Sequence, residues 1–158
     1  MTIQLTEKER MFLEDAKINE EVCIQKYQNY SNQVKDPKLQ QILSKLAGEE
    51  QEHYDTLDTL LKGEDPKINV PKPQKPNQNK QVTIENNIQG VMSNKKDEVI
   101  CNDLLSTEKY VAGTYGDDVF ESFNPIVREA MQHIQKDEQK HGEEIFNYMY
   151  SKNMCNVK

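Results

Sequence analysis

Several features are missing or scarce in this sequence, and each absence narrows the reading. Cysteine occurs only at Cys23, Cys101 and Cys155, with no paired spacing, which excludes a disulfide framework and fits a reducing compartment. There is no basic run with interleaved aromatics and the net charge is −7, so nucleic acid is excluded as a partner. No apolar run approaches the roughly 18 residues of a membrane span. The amino terminus, MTIQLTEKER, reaches charged residues too soon for a signal peptide, so synthesis and retention in the cytoplasm are expected. Apolar residues are themselves scarce, at 35% against 30% charged. In 158 residues that balance suits a single all-α domain of long amphipathic helices joined by polar segments.

What is present is helical periodicity with clear starts. Thr6 and Glu9 form a capping box, since each side chain can satisfy the other's free amide. A helix over about 6–32 then carries Leu13, Ala16, Glu20, Cys23, Tyr27 and Tyr30 at heptad spacing. Asp36 and Pro37 cap and begin a second helix, about 37–62, with Leu39, Leu43, Leu46, Glu50, His53, Leu57 and Leu60 on one face, and Gly63 closes it. Prolines at 66, 71, 73 and 76 bar helix from the next stretch, a crossover over about 63–93. A third helix, about 94–120, aligns Cys101, Leu104, Glu108, Val111 and Tyr115, with Gly113 and Gly116 weakening its second half by roughly 1 kcal/mol each. Asn124 and Pro125 repeat the cap-and-proline start for a fourth helix, about 125–150. Two hairpins with short loops and one long link describe a four-helix bundle of ferritin-like topology.

The halves also repeat. Displaced by 88 residues, Glu20 falls on Glu108, Tyr27 on Tyr115, Pro37 on Pro125, Glu50 on Glu138 and His53 on His141, without a gap. Asp15 likewise falls on Asp103. Each half thus reads Glu, thirty residues, then Glu-x-x-His, and these polar residues stand where the apolar seam should continue. The third histidine, His133, has Ala130 and Ile100 at the same offsets and carries no motif.

Residues i and i+3 share a helix face, so Glu-x-x-His presents a carboxylate beside an imidazole. Two such helices and one Glu from each of the others gather four carboxylates and two imidazoles around one point. Four buried carboxylates alone repel one another and lose their hydration, at several kcal/mol per charge. Two divalent ions would balance them, and an oxygen-rich set with one imidazole per ion suits iron or manganese. The expected metal ligands are therefore Glu20, Glu50, His53, Glu108, Glu138 and His141. The competing reading is a hydrogen-bonded polar layer without metal.

Other residues leave alternatives open. Tyr27 and Tyr115 lie two turns after Glu20 and Glu108, as hydroxyl donors behind the ligands, as radical traps, or simply as core tyrosines. Cys23, one turn from Glu20, reads as a small core hydrophobe. Asp15 and Asp103 read as surface caps or ion pairs. Glu49 and Asp137, each four residues before a histidine, are solvated flanks or carboxylates that orient an imidazole across the interface.

The six-residue pattern resembles the ferritin-like dimetal carboxylate proteins, such as bacterioferritin and rubrerythrin. The stretches ICNDLLSTEKYVAGTY and VREAMQHIQKDEQKHGEEIFNYM resemble the coat F domain of spore coat proteins over about residues 94–150. The stretch EDAKINEEVCIQKYQNYSNQVKDPKLQQIL is similar to the amino-terminal half of related coat proteins. The resemblance implies a place in or near the spore coat, with other coat proteins or further copies of the chain as partners. It also implies that Glu50 and Glu138 bridge two metals while Glu20, Glu108, His53 and His141 are terminal ligands. No Cys-x-x-Cys pair follows the bundle, Gln51 stands where bacterioferritin has its haem methionine, and no fifth helix is evident. Neither a rubredoxin module, nor haem, nor a 24-subunit cage is therefore expected. Two functions follow: ferrous oxidation or peroxide consumption at a dimetal site, or a structural coat component with no catalytic metal.

Overall fold

In the computed structural model residues 2–69 and 95–155 are described, and they fold into four helices: α1 (Glu7–Ser31), α2 (Pro37–Leu61), α3 (Lys95–Glu121) and α4 (Pro125–Ser151). Each boundary lies within a residue of the expected one. The Thr6–Glu9 capping box forms, and Asp36 and Asn124 each accept the amide two residues on, ahead of a proline in the first turn. Gly63 takes φ +78° after α2 and the next amide reaches back to Thr59, a Schellman closure that a side chain would crowd against the Ile3 carbonyl. Gly113 and Gly116 do not interrupt α3, which continues to Glu121. Most of the expected crossover lies outside the described residues.

α1 packs along α2 and α3 along α4, and the hairpins meet through α1 with α3 and α2 with α4. Lys26, late in α1, reaches Asp103, early in α3, and Glu9 at the start of α1 reaches Asn124 beyond the end of α3. α1 and α3 are therefore antiparallel. Since Asp97 in the first turn of α3 lies beside Lys35 and Asp36 before α2, α2 and α3 run the same way. The end of α2 and the start of α3 therefore lie at opposite ends of the bundle, about 37 Å apart along a 25-residue helix.

Two apolar clusters fill the interior. One gathers Phe12, Leu13, Leu57, Leu60, Met131 and Ile134, and the other Leu39, Leu43, Leu46, Leu104, Ile145 and Met149. Each fully buried leucine or isoleucine contributes about 1.5–3 kcal/mol. The polar seam positions Glu20, Glu50, His53, Glu108, Glu138 and His141 are buried along with them, all at 4% exposure or less. Among the described residues no helix is long and apolar enough to cross a membrane.

Candidate metal centre

Six side chains from four helices converge in the middle of the bundle. Glu20 projects from α1, Glu50 and His53 from α2, Glu108 from α3, and Glu138 and His141 from α4. Their ligand atoms fall into two overlapping groups of four, each within 4.8 Å: Glu20, Glu50, His53 and Glu138, and Glu50, Glu108, Glu138 and His141. Glu50 and Glu138 belong to both.

The shared carboxylates divide their oxygens between the groups. Glu50 Oε2 lies 3.2 Å from His53 Nδ1, while its Oε1 lies 3.2 Å from His141 Nδ1. Glu138 Oε1 lies 2.9 Å from His53 Nδ1, and its Oε2 3.8 Å from His141 Nδ1. Despite that proximity neither Glu138 oxygen makes a hydrogen bond, and Glu20 Oε2 and Glu108 Oε2 are likewise buried without a partner. Orphaned carboxylate oxygens in a dry interior are costly, and here four of them face the same small volume. Each group of four is a donor set that could hold a metal ion.

The outer side of the cluster is fully engaged. Both imidazoles turn Nδ1 inward and Nε2 outward across the hairpin interface, where the His53 Nε2–H donates to Asp137 at 3.2 Å and His141 Nε2 pairs with Glu49 at 3.1 Å. The rings stack with centroids 5.5 Å apart. The Tyr115 hydroxyl donates to Glu20 Oε1 and the Tyr27 hydroxyl to Glu108 Oε1, each tyrosine bridging α1 and α3. Asp137 is thus a hydrogen-bond partner of an imidazole, Glu49 is a 40% exposed flank that pairs with His141, and the tyrosines are hydroxyl donors behind carboxylates.

The electrostatics report a deficit of positive charge. Burial, followed by repulsion from Glu50, pushes Glu20 well above the usual carboxylate range. Glu138 rises for the same primary reason, with Glu108 and Glu50 adding to it. Burial would also raise Glu50, but hydrogen bonds from His141 and His53 hold it far below its ordinary value. Burial opposes a charged imidazole, yet Asp137 and Glu50 lift His53 to about 10, and Glu108 and Glu50 lift His141 to about 10. Protons on these groups offset the repulsion among the buried carboxylates.

Cys23 is 1% exposed beside this cluster, and burial with the surrounding carboxylates pushes its thiol up out of the reactive range. It is a core residue, as its sequence position implied. Two buried acids escaped the sequence reading as links between elements. Glu9 Oε1 accepts the Asn124 amide at 2.6 Å, and Asp97 accepts the Lys35 and Asp36 amides at 3.3–3.4 Å. They too stand 88 residues apart, so the repeat register was the signal available.

Residues 96–158 match the family model described as the Coat F domain. This stretch contributes Glu108, Glu138 and His141, whereas Glu20, Glu50 and His53 precede it. No curated protein sequence matches the chain. Among solved structures, this chain is similar to a two-domain protein from Anabaena variabilis containing DJ-1/ThiJ/PfpI-like and ferritin-like domains, with TM-score 0.69 and 16% identity. The match covers 95% of this chain and 38% of that one. At that identity the likeness establishes the fold, a ferritin-like four-helix bundle.

Proposed function

We propose that this chain is a dimetal carboxylate protein of the spore coat that oxidises ferrous iron or consumes peroxide. Glu20 and His53 hold one ion, Glu108 and His141 the other, and Glu50 and Glu138 lie between them. The observation that carries the reading is the division of the Glu50 and Glu138 oxygens between two positions, each of which also faces one imidazole Nδ1. The coat location rests on the Coat F match.

A bound pair of iron or manganese ions supplies two-electron chemistry toward oxygen or peroxide. The chain's own residues set the conditions for it. Asp137 fixes the His53 imidazole with Nδ1 inward and makes it a better donor, and Glu49 pairs with the outward nitrogen of His141. Tyr115 and Tyr27 hold one oxygen of Glu20 and Glu108, leaving the other facing the centre. Their phenol protons stay in place at neutral pH, because burial and the neighbouring carboxylates push both tyrosines well above their ordinary value.

The test begins with metal per chain after reconstitution with iron or manganese, followed by ferrous-oxidation and peroxide assays. About two ions per chain are expected, and turnover should disappear in the His53→Ala/His141→Ala double variant. Unchanged turnover in that variant would remove the proposed chemistry. No metal after both aerobic and anaerobic reconstitution would leave a metal-free polar layer and a structural coat component.

A further inference from the structure

The repeat that builds the centre breaks at one place on the surface between α1 and α3. Near the end of α1, Lys26 Nζ lies 3.2 Å from Asp103 Oδ2 and 3.0 Å from Thr107 Oγ1, and the Tyr30 hydroxyl donates to the same Asp103 oxygen at 2.7 Å. Displacement by 88 residues takes Asp103 to Asp15, Thr107 to Asn19, Lys26 to Thr114 and Tyr30 to Asp118. Asp15, Asn19, Thr114 and Asp118 all line one cleft of about 610 Å³ between α1 and α3. The ammonium and phenol of one end are thus replaced by a hydroxyl and a second carboxylate.

Asp118 is 9% exposed, yet among the described residues no donor or cation reaches its carboxylate. The Thr114 hydroxyl is spent on the Val111 carbonyl of its own helix. Asp117 and Glu121 add further negative charge to the cleft, and of these Glu121 is paired with Lys8 at 3.3 Å. The carboxylates are too dispersed for a metal ion: among the described residues, no group of three or more ligand atoms within 4.8 Å includes Asp15, Asp117, Asp118 or Glu121. Tyr110 and Phe120 also line the cleft, at 67% and 92% exposure, offering aromatic faces to an aliphatic stem and a cationic head.

We propose that this cleft binds a primary alkylammonium, whose head takes the place between Asp15 and Asp118 that Lys26 fills at the other end. The stem lies against Tyr110 and Phe120. A free diamine and a lysine side chain of another protein share this chemistry. The Asp118 carboxyl, pushed up to about 7 by burial and by Glu121, Asp117 and Asp15, supports the same conclusion, because an arriving cation would relieve it.

The experiment titrates the full-length protein with 1,5-diaminopentane, 1,5-pentanediol and Nα-acetyl-lysine amide, by calorimetry and by amide chemical shifts. The diamine should saturate with a Kd of roughly 1–10 mM, as expected of so small a ligand, while the diol should not bind. Thr114→Lys restores the lysine found at the other end, and should abolish binding without loss of helicity. Asp118→Asn should weaken it about tenfold. Tighter binding of the lysine derivative than of the diamine would identify a lysine on a partner chain, and the reverse a free amine. The proposal is overturned if neither amine saturates, if the diol binds equally, or if folded Thr114→Lys binds as the wild type does.

Discussion

Asp103 and Asp15 hold equivalent places in the two halves, yet one accepts bonds from Lys26 and Tyr30 while the other shares a cleft with Thr114 and Asp118. Deeper in the bundle the same displacement is obeyed closely. Tyr115 donates to Glu20 as Tyr27 donates to Glu108, and a carboxylate stands outside each imidazole, Asp137 beside His53 and Glu49 beside His141. The difference teaches where the repeat is constrained. A buried carboxylate or imidazole without its partner costs 1–3 kcal/mol or more, so departures are costly there. At a solvated surface an ion pair is worth about 0–1 kcal/mol, and the halves can diverge.

If the centre obeys the repeat, equivalent substitutions must have equivalent effects. At a thousandfold excess of metal over Kd, loading should stabilise the wild type by about 4 kcal/mol per site, raising the thermal midpoint by roughly 8–16 °C for each site filled. Glu50→Ala and Glu138→Ala should each abolish that shift, because both positions lose a ligand. Glu20→Ala and Glu108→Ala should each retain about one ion per chain, and to the same degree. Unequal retention, by elemental analysis and scanning calorimetry, would break the symmetry at the centre itself.

Core volume is a second place to press the comparison. Leu104 falls on Ala16, and Leu13 on Cys101, so the two apolar clusters are filled differently. Leu104→Ala should cost about 2–5 kcal/mol by denaturant unfolding, and Ala16→Leu about 1–3 kcal/mol through overpacking. A well-tolerated Ala16→Leu would mean that the two ends are interchangeable after all.

The helix-start acids should differ by less. Glu9 takes the Asn124 amide at 2.6 Å and the Thr6 amide at 2.9 Å, whereas the Asp97 bonds are all 3.3 Å or longer. Glu9→Gln should therefore cost about 1–2 kcal/mol and Asp97→Asn roughly half that. Burial would raise Glu9, but the Asn124 and Thr6 bonds hold it below its ordinary 4.5. Its stabilisation is thus present above about pH 4.5 and lost as pH falls through the lowered value. The Gln variant should show a shallower loss of stability in acid.

How much of this was legible follows from the same physics. The four helices and six inward residues could be read because heptad spacing and Glu-x-x-His are local patterns, and a carboxylate in an apolar seam needs a reason. Glu49 and Asp137 could not be resolved between flank and imidazole partner, since that depends on which helices are neighbours across the bundle. Glu9 was legible as half of a capping box but not as an acceptor for Asn124, a contact 115 residues away. Asp118 gave no sign at all. Its burial arises from the packing of α1 against α3, and only comparison with Tyr30 reveals what is missing.

The smallest effects are expected at the surface, where their signs should oppose. Burial would raise Asp103, but Tyr30 and Lys26 hold it below its ordinary value. Its contribution is present above the usual carboxylate pKa and is lost as pH falls through the lowered value, so Asp103→Asn should destabilise at pH 8 and do so less near pH 3. Asp118 is raised to about 7, chiefly by burial and then by Glu121, Asp117 and Asp15. A raised acid binds more protons folded than unfolded, so its penalty grows as pH climbs from about 4 through 7 and is complete above that. Asp118→Asn should therefore stabilise at pH 8 and do nothing near pH 3. Each change is expected at about 0.5–1 kcal/mol, within reach of paired urea titrations at the two pH values. Two variants of the same sign at pH 8 would mean that the ends of the α1 and α3 face are electrostatically alike, and that the vacancy left by Lys26 has no consequence.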